Sequence, residues 1–180
     1  KLIQLAIRNL AKWADTTGFK FSPGKTTGII FSRKNNPPQP PILFLSGVKI
    51  EFSSTVKFLG LLFDSKLKWN SHIAQLKANC TRKMNLLKCL SKTTWGADRT
   101  TLLLIYKSLV RSTLDYGSII YGCAADSYVK SLDSVQTTCL GLVLGAFRTS
   151  PALSLCAEAG EPPPPCLLDG KSCWQTMPSK

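Results

Sequence analysis

The spacing of apolar residues changes near position 70, from short alternating runs to long helical stripes. In residues 2–14, Ile3, Leu5, Ala6, Leu10 and Trp13 recur mostly at three- and four-residue steps, which predicts an amphipathic helix ended by Gly18. Ser22-Pro23-Gly24 predicts a turn and residues 27–32 a short β-rich run. Four prolines within residues 35–41 demand an exposed loop. The runs 42–45 and 48–52, joined by Ser46-Gly47, predict a hairpin with Val48, Ile50 and Phe52 toward a core and Lys49 and Glu51 toward water. Residues 56–63 form one further run, apolar on both faces except at Lys57 and Gly60, before a turn at Asp64-Ser65.

Beyond Trp69 the period is helical throughout. Asn70 or Ser71 is expected to cap a long helix with the stripe Ile73, Leu76, Cys80, Met84, Leu87 and Leu90. Asp98 is expected to cap a second, with Leu102, Ile105, Tyr106, Leu109 and Val110 inward. Asp126 or Ser127 is expected to cap a third, through Val129, Leu132, Val135, Cys139 and Leu142. Ser150-Pro151 opens a fourth, shorter helix with proline at its first position, ending near Gly160. Four consecutive prolines and a polar end predict a disordered Pro-rich tail over residues 161–180. The expected fold class is α+β: a small antiparallel sheet with one helix over residues 1–69, then an α-helical bundle over residues 70–160.

Composition narrows the function classes. With 180 residues and 44% apolar content the chain can bury a core and does not read as disordered. No run of eighteen apolar residues occurs, the richest stretch being 140–147, so no membrane partner is expected. No secretory peptide opens the chain, and its first residues are already in helical pattern, which predicts a truncated start. Seven scattered cysteines fit reduced, mostly buried thiols of an intracellular protein, nuclear or cytoplasmic and not secreted. They form no CxxC pair, and His72 is the single histidine, so no zinc site is expected. Asp64, Asp98, Asp115, Asp126 and Asp133 fall mostly at turns and helix starts, where capping is their expected role. No carboxylate pair lies on one hairpin face, so no metal centre is expected.

The net charge of +13 is unevenly distributed. Residues 1–100 hold 17 of the 23 basic and 4 of the 10 acidic residues, and residues 101–180 are balanced. Between Asp64 and Asp98 no acidic residue occurs, while Lys66, Lys68, Lys77, Arg82, Lys83, Lys88 and Lys92 do. On a helix Lys77, Lys88 and Lys92 share one side of the apolar stripe and Arg82 points away. Such a row suits a phosphate backbone; it also suits a solvated helix face, although solvated faces normally mix both signs.

Several segments together resemble a known family. They are Trp13-Ala14-Asp15, the run Gly18-Phe19-Lys20-Phe21-Ser22-Pro23-Gly24-Lys25-Thr26, Phe31, and Val56-Lys57-Phe58-Leu59-Gly60-Leu61-Leu62-Phe63-Asp64 with Lys66-Leu67-Lys68-Trp69 and His72-Ile73. In that order and spacing they resemble the C-terminal palm of reverse transcriptases of non-LTR (LINE-type) retrotransposons, most closely the Jockey-like group. Residues 106–112, Leu114-Asp115-Tyr116-Gly117, Leu132-Asp133-Ser134-Val135-Gln136, residues 144–151 and Glu158-Ala159-Gly160-Glu161-Pro162-Pro163 resemble the thumb and the segment after it.

The resemblance implies an RNA-directed DNA polymerase by descent, built as fingers, palm and thumb. Its metal-binding aspartates lie on palm strands preceding the helix seen here at residues 1–14, so this chain lacks the catalytic aspartate pair and is expected to be inactive alone. Mg²⁺ is implied for the complete parent enzyme, with no cofactor in this chain. The implied partners are an RNA/DNA template–primer duplex and the missing fingers and palm portion of the parent. Lys25, by itself an exposed turn lysine, falls at the lysine of motif D, a candidate proton donor to pyrophosphate. Phe58, Leu59 and Gly60 match the primer-grip strand, where Gly60 permits close backbone approach or marks a bulge. The helices after Trp69 correspond to the thumb, which makes Lys66, Lys68, Lys77, Lys88 and Lys92 candidate duplex contacts. Tyr106, Tyr116 and Tyr121 read as bundle core. The residues after Pro163 depart from the family, as a frameshift, a mis-splice, a decayed copy or a domesticated protein would make them. The alternatives are a noncatalytic basic nucleic-acid-binding module and a helical protein whose charge serves solubility.

Overall fold

The computed structural model describes residues 2–34, 37–92 and 96–162. The chain divides into two compact units, residues 1–67 and 68–180.

In the first unit, α1 (Leu2–Thr17) ends as expected at Gly18, whose φ of +78° reverses the chain so that the Phe19 N–H bonds the Ala14 carbonyl at 2.9 Å. The stripe it buries differs from expectation. Ala14 is buried, and Ile7 and Ala11 pack against a core of Leu43, Leu45 and Ile50, whereas Ile3, Leu5, Leu10 and Trp13 are exposed. Ile7, Ala11 and Ala14 share one face by helical spacing, and the two alanines let the helix come close to its partner. Gln4 strengthens the contact, since its side-chain amide donates to the Phe44 carbonyl at 2.8 Å and accepts from the Phe44 N–H at 2.9 Å.

Single-sheet architecture is not what forms. Among the described residues three two-stranded pieces replace it: β1 (Thr27–Gly28) pairs in parallel with β4 (Glu51–Phe52), β2 (Phe44–Leu45) pairs antiparallel with β3 (Val48–Lys49), and β5 (Thr55–Phe58) pairs antiparallel with β6 (Leu61–Asp64). Residues 37–41 are exposed and irregular, as their prolines require. The Ser46-Gly47 hairpin forms as expected, both residues at positive φ in a type I′ turn. Ile50 is buried and Phe52 half-buried on the expected face, but Val48 is exposed. Gly47 has φ +82°, and a Cβ added there would meet no heavy atom within 4 Å. Gly47→Ala is therefore expected to cost only the left-handed backbone, about 1–2 kcal/mol, read by urea denaturation.

Residues 56–63 are a hairpin rather than one strand. Leu59 (φ +46°) and Gly60 (φ +83°) make a second two-residue turn of the same kind between β5 and β6. Gly60 thus meets a backbone requirement at a turn and is not a bulge within a strand.

The second unit is a helical bundle. α2 (Asn70–Leu90) buries Ile73, Leu76, Cys80 and Leu87 from the expected stripe, with Met84 and Leu90 half-buried. Neither Asn70 nor Ser71 caps it. Trp69, buried and in the left-handed conformation, occupies the cap position, so packing of the indole decides where the helix begins. The next helical stretch changes hydrogen-bond register twice, as α3 (Arg99–Ile105), a π-helical segment (Tyr106–Arg111) and α4 (Ser112–Asp115). The π segment turns Tyr106, Val110 and Arg111 inward together. A short α5 (Ser118–Tyr121) leads to α6 (Asp126–Leu144), which packs along α2 and buries Val129, Leu132, Val135, Gln136, Cys139, Leu140 and Val143. Asp126 and Ser127 lie inside α6, with Ala125 at the cap position. α7 (Ala152–Ala159) follows Pro151, one residue later than expected, and stops at Gly160 with φ +67°.

Tyr106 and Tyr121 are core residues, the latter donating its hydroxyl to the Leu114 carbonyl, whereas Tyr116 is exposed. Cys80, Cys139 and Cys156 are buried, and burial pushes the Cys80 thiol up to about 11 and that of Cys139 to about 12. Glu161 and Pro162, expected to start an unpacked tail, are buried; residues 163–180 lie outside the described residues.

Asp98 caps α3 as expected, its Oδ2 accepting from the N–H groups of Thr100 and Thr101 and its Oδ1 from the Thr101 hydroxyl at 2.6 Å. The Thr101 hydroxyl, then these backbone donors, hold the carboxyl below its usual pKa. A depressed folded-state pKa contributes stability above the unfolded value that is lost as pH falls through the folded one. Asp98→Ala is expected to lower Tm at pH 7 and to match the unsubstituted chain once pH lies below that folded value. Asp98→Asn keeps the cap and loses the pH dependence, a pattern readable by thermal unfolding followed by circular dichroism.

Candidate nucleic-acid interface

Five of the candidate residues belong to the first unit. Lys25 closes a 3₁₀ turn (Pro23–Lys25), is exposed, and is held by its N–H to the Ser22 carbonyl at 3.2 Å. Phe58, Leu59 and Gly60 form the exposed tip of the β5–β6 hairpin, with the Phe58 ring edge-on to Phe63 at 6.4 Å. Lys66 follows β6 and is exposed.

Lys68, Lys77, Lys88 and Lys92 belong to the second unit. Lys77 and Lys88 lie eleven residues apart on α2, about 16 Å along its axis and nearly on one face. Lys92 sits beyond the end of the helix, where its carbonyl accepts from the Gly96 N–H at 2.7 Å, so the expected helical row of three contains two helical members. Arg82 is exposed and donates to Asn79.

Lys83 behaves differently from its neighbours. Its ammonium donates to the Leu109 carbonyl at 3.0 Å and to the Thr113 hydroxyl, tying α2 to the π segment and α4. It serves the bundle and not a surface. His72 is likewise structural: it is buried between Trp69 and Tyr121, with ring centroids at 6.1 and 5.3 Å, and burial lowers its pKa.

A polar assembly among the described residues falls within the thumb-like segments but carries no signal in the apolar periodicity. Arg111, on the buried side of the π segment, contacts Asp115 through Nε at 3.0 Å and donates from Nη1 to the Pro162 carbonyl at 2.9 Å and to Gln136 Oε1 at 3.4 Å. Glu161 approaches the same guanidinium at 3.9 Å and pairs with Lys107 at 2.9 Å. These contacts seat residues 161–162 against the bundle. The partners of Arg111 Nε and Nη1 all come from within the second unit.

Among the described residues no three of His, Cys, Asp and Glu gather closely enough to hold a metal ion. Among the described residues, Asp64, Asp98, Asp115, Asp126 and Asp133 do not gather into one site. Asp133, inside α6, has its pKa raised by burial. No helix among the described residues is long and apolar enough to cross a membrane.

No family model matches the chain, and no solved structure does. Known proteins do. The chain is 24% identical over 135 residues to a probable RNA-directed DNA polymerase from transposon X-element of Drosophila melanogaster, a match that covers 75% of the chain and 15% of that protein. It is 28% identical over 140 residues to the RNA-directed DNA polymerase from mobile element jockey of the same species, covering 75% and 14%. A Pol polyprotein from type-1 retrotransposable element R1 of Bradysia coprophila is 26% identical over 110 residues, covering 61% and 11%. The chain thus spans less than one sixth of the length of these relatives. Over about three quarters of its length, it is similar to RNA-directed DNA polymerases of non-LTR retrotransposons, the jockey element among them.

Proposed function

We propose that this chain is a palm-end and thumb fragment of a Jockey-like reverse transcriptase that grips a template–primer duplex without catalysing synthesis by itself. The observation that carries the reading is α2. Its apolar stripe is buried in the bundle while Lys77 and Lys88 lie along one side, in a stretch with no acidic residue over positions 65–97. Contacts to phosphates position a duplex without reading its sequence, which is what copying an arbitrary template requires.

The first unit supports the same reading from its surface. Leu2, Ile3, Leu5, Leu10 and Trp13 of α1 are exposed, a run of apolar side chains that suits contact with the palm and fingers portion of a parent enzyme. The exposed tip Phe58-Leu59-Gly60 presents backbone as a primer grip would. Lys25, on its exposed turn, has the freedom that protonation of a leaving pyrophosphate needs. Mg²⁺ would be held by aspartates elsewhere in the parent enzyme; Lys68 would extend the phosphate contacts of the second unit, and Lys66 would offer one on the first.

The test is fluorescence anisotropy of a labelled RNA/DNA template–primer duplex against the purified chain at rising salt, with primer extension in Mg²⁺ beside it. Salt-sensitive duplex binding without templated product is expected. Templated synthesis would overturn the claim of inactivity, and absence of binding at low salt would overturn the duplex-gripping role.

A further inference from the structure

We infer that the second unit carries a separate site for single-stranded nucleic acid, in a groove of about 500 Å³ bounded by Lys88 of α2, Thr137 of α6 and the turn Phe147-Arg148. A cavity of this size lies within the usual range for small-ligand sites, about 300–1,000 Å³, and admits a nucleotide.

The turn gives the groove its shape. Gly145 ends α6 at φ +63°, the Ala146 N–H returns to the Gly141 carbonyl at 3.0 Å, and the Ser150 N–H closes onto the Phe147 carbonyl at 3.0 Å. This leaves Phe147 87% exposed at the rim, with Arg148 exposed beside it. So large an apolar ring in water, on a turn fixed by two backbone bonds, is a platform already in place. It has nothing to gain from the bundle and much to gain from a planar partner.

Charge selects that partner. Lys88 and Arg148 both border the groove, neither makes an ion pair among the described residues, and the lining contains no carboxylate. The concentration of positive charge is local, because residues 101–180 are neutral overall. Two unpaired cations suit a phosphodiester, and the ring suits the face of a base. A base can lie flat on a side chain only when it is unpaired, so the ligand is a single strand and not a duplex. Guanidinium and ring side by side then serve the phosphate and base of one nucleotide. The groove shares Lys88 with the duplex-gripping face proposed above and otherwise stands apart from it.

The test uses the full chain and labelled oligothymidylate of about 20 nucleotides, with a blunt duplex as comparator. Phe147→Ala is expected to weaken oligothymidylate binding roughly ten- to a hundredfold while leaving duplex affinity unchanged, and Phe147→Trp to restore it. Arg148→Ala is expected to lower the salt slope for the single strand by about 0.7. Since Phe147 and Arg148 are exposed, their variants should keep the unsubstituted circular dichroism spectrum. No oligothymidylate binding at low salt, equal affinity of Phe147→Ala and the unsubstituted chain, or equal losses for strand and duplex would each overturn the inference. So would a Phe147→Ala effect on self-association without one on strand binding. Phe147-dependent strand binding with no duplex binding would uphold it while removing the duplex-gripping role.

Discussion

Arg111→Ala is expected to destabilise the helical unit by about 3–5 kcal/mol, as removal of one partner from a buried ion pair generally does. The side chain is 8% exposed and so is that of Glu161, whose carboxylate loses one of its two cations with the substitution and keeps Lys107 alone. The Pro162 carbonyl loses its 2.9 Å donor and Gln136, fully buried, loses a partner for Oε1 while its Nε2 still reaches the Pro162 carbonyl at 3.0 Å. Each buried acceptor left unpaired adds its own desolvation cost. Arg111→Lys recovers little, because an ammonium cannot replace a planar fork reaching Asp115, Gln136 and Pro162 at once. Replacing both charges, as Arg111→Met with Glu161→Gln, should cost clearly less than Arg111→Ala, since no carboxylate then remains buried beside the gap. Urea denaturation followed by far-ultraviolet circular dichroism reads these differences. A loss below about 1 kcal/mol for Arg111→Ala would show that the assembly contributes no more than a surface pair.

The same assembly explains where the sequence pattern stops being informative. The stripes of α2 and α6 are legible because a helix packed on one side needs apolar residues every three or four positions. Asp98 is legible because its short carboxylate reaches exposed N–H groups one turn ahead. Arg111 is not, because nothing local distinguishes a buried arginine from a solvated one. Its partners Gln136, Glu161 and Pro162 lie 25 to 51 residues away, and the π segment that turns it inward arises from that packing. Lys83 is hidden for the same reason, one lysine among seven basic residues over positions 66–92 until the π segment and α4 supply its acceptors.

In the first unit the Ser46-Gly47 turn announces itself, whereas Leu59-Gly60 does not, because leucine seldom adopts positive φ and the run around it reads as one strand. For α1, counting large apolar residues selects the exposed side. The buried side is marked by Ile7 and two alanines, whose small size matters only once a strand lies against them. The candidate lysines are legible as a run of one sign, but sequence cannot separate Lys83 from the surface, end α2 before Lys92, or join Lys88 to Phe147 and Arg148, which are about 60 residues further along the chain.

That separation sets the second large effect. Lys77→Ala, Lys88→Ala and Lys92→Ala combined are expected to reduce the salt slope of duplex binding by nearly 3, at about 0.9 for each phosphate contact removed. Between about 50 and 200 mM salt, a fourfold change, the loss of affinity should then shrink by roughly fortyfold relative to the unsubstituted chain. Two controls locate the effect. Arg82→Ala removes an equal charge from another side of α2 and should leave the slope nearly unchanged. Lys83→Met removes a charge too, yet should lower thermal stability without altering the slope, because its ammonium is already bound to the Leu109 carbonyl and Thr113. If charge alone governed binding, all single substitutions would change the slope alike, since each subtracts one from the same net charge. If a defined face governs it, Lys77, Lys88 and Lys92 will change the slope and Arg82 and Lys83 will not, and a triple variant with the unsubstituted slope would remove α2 from the interface altogether.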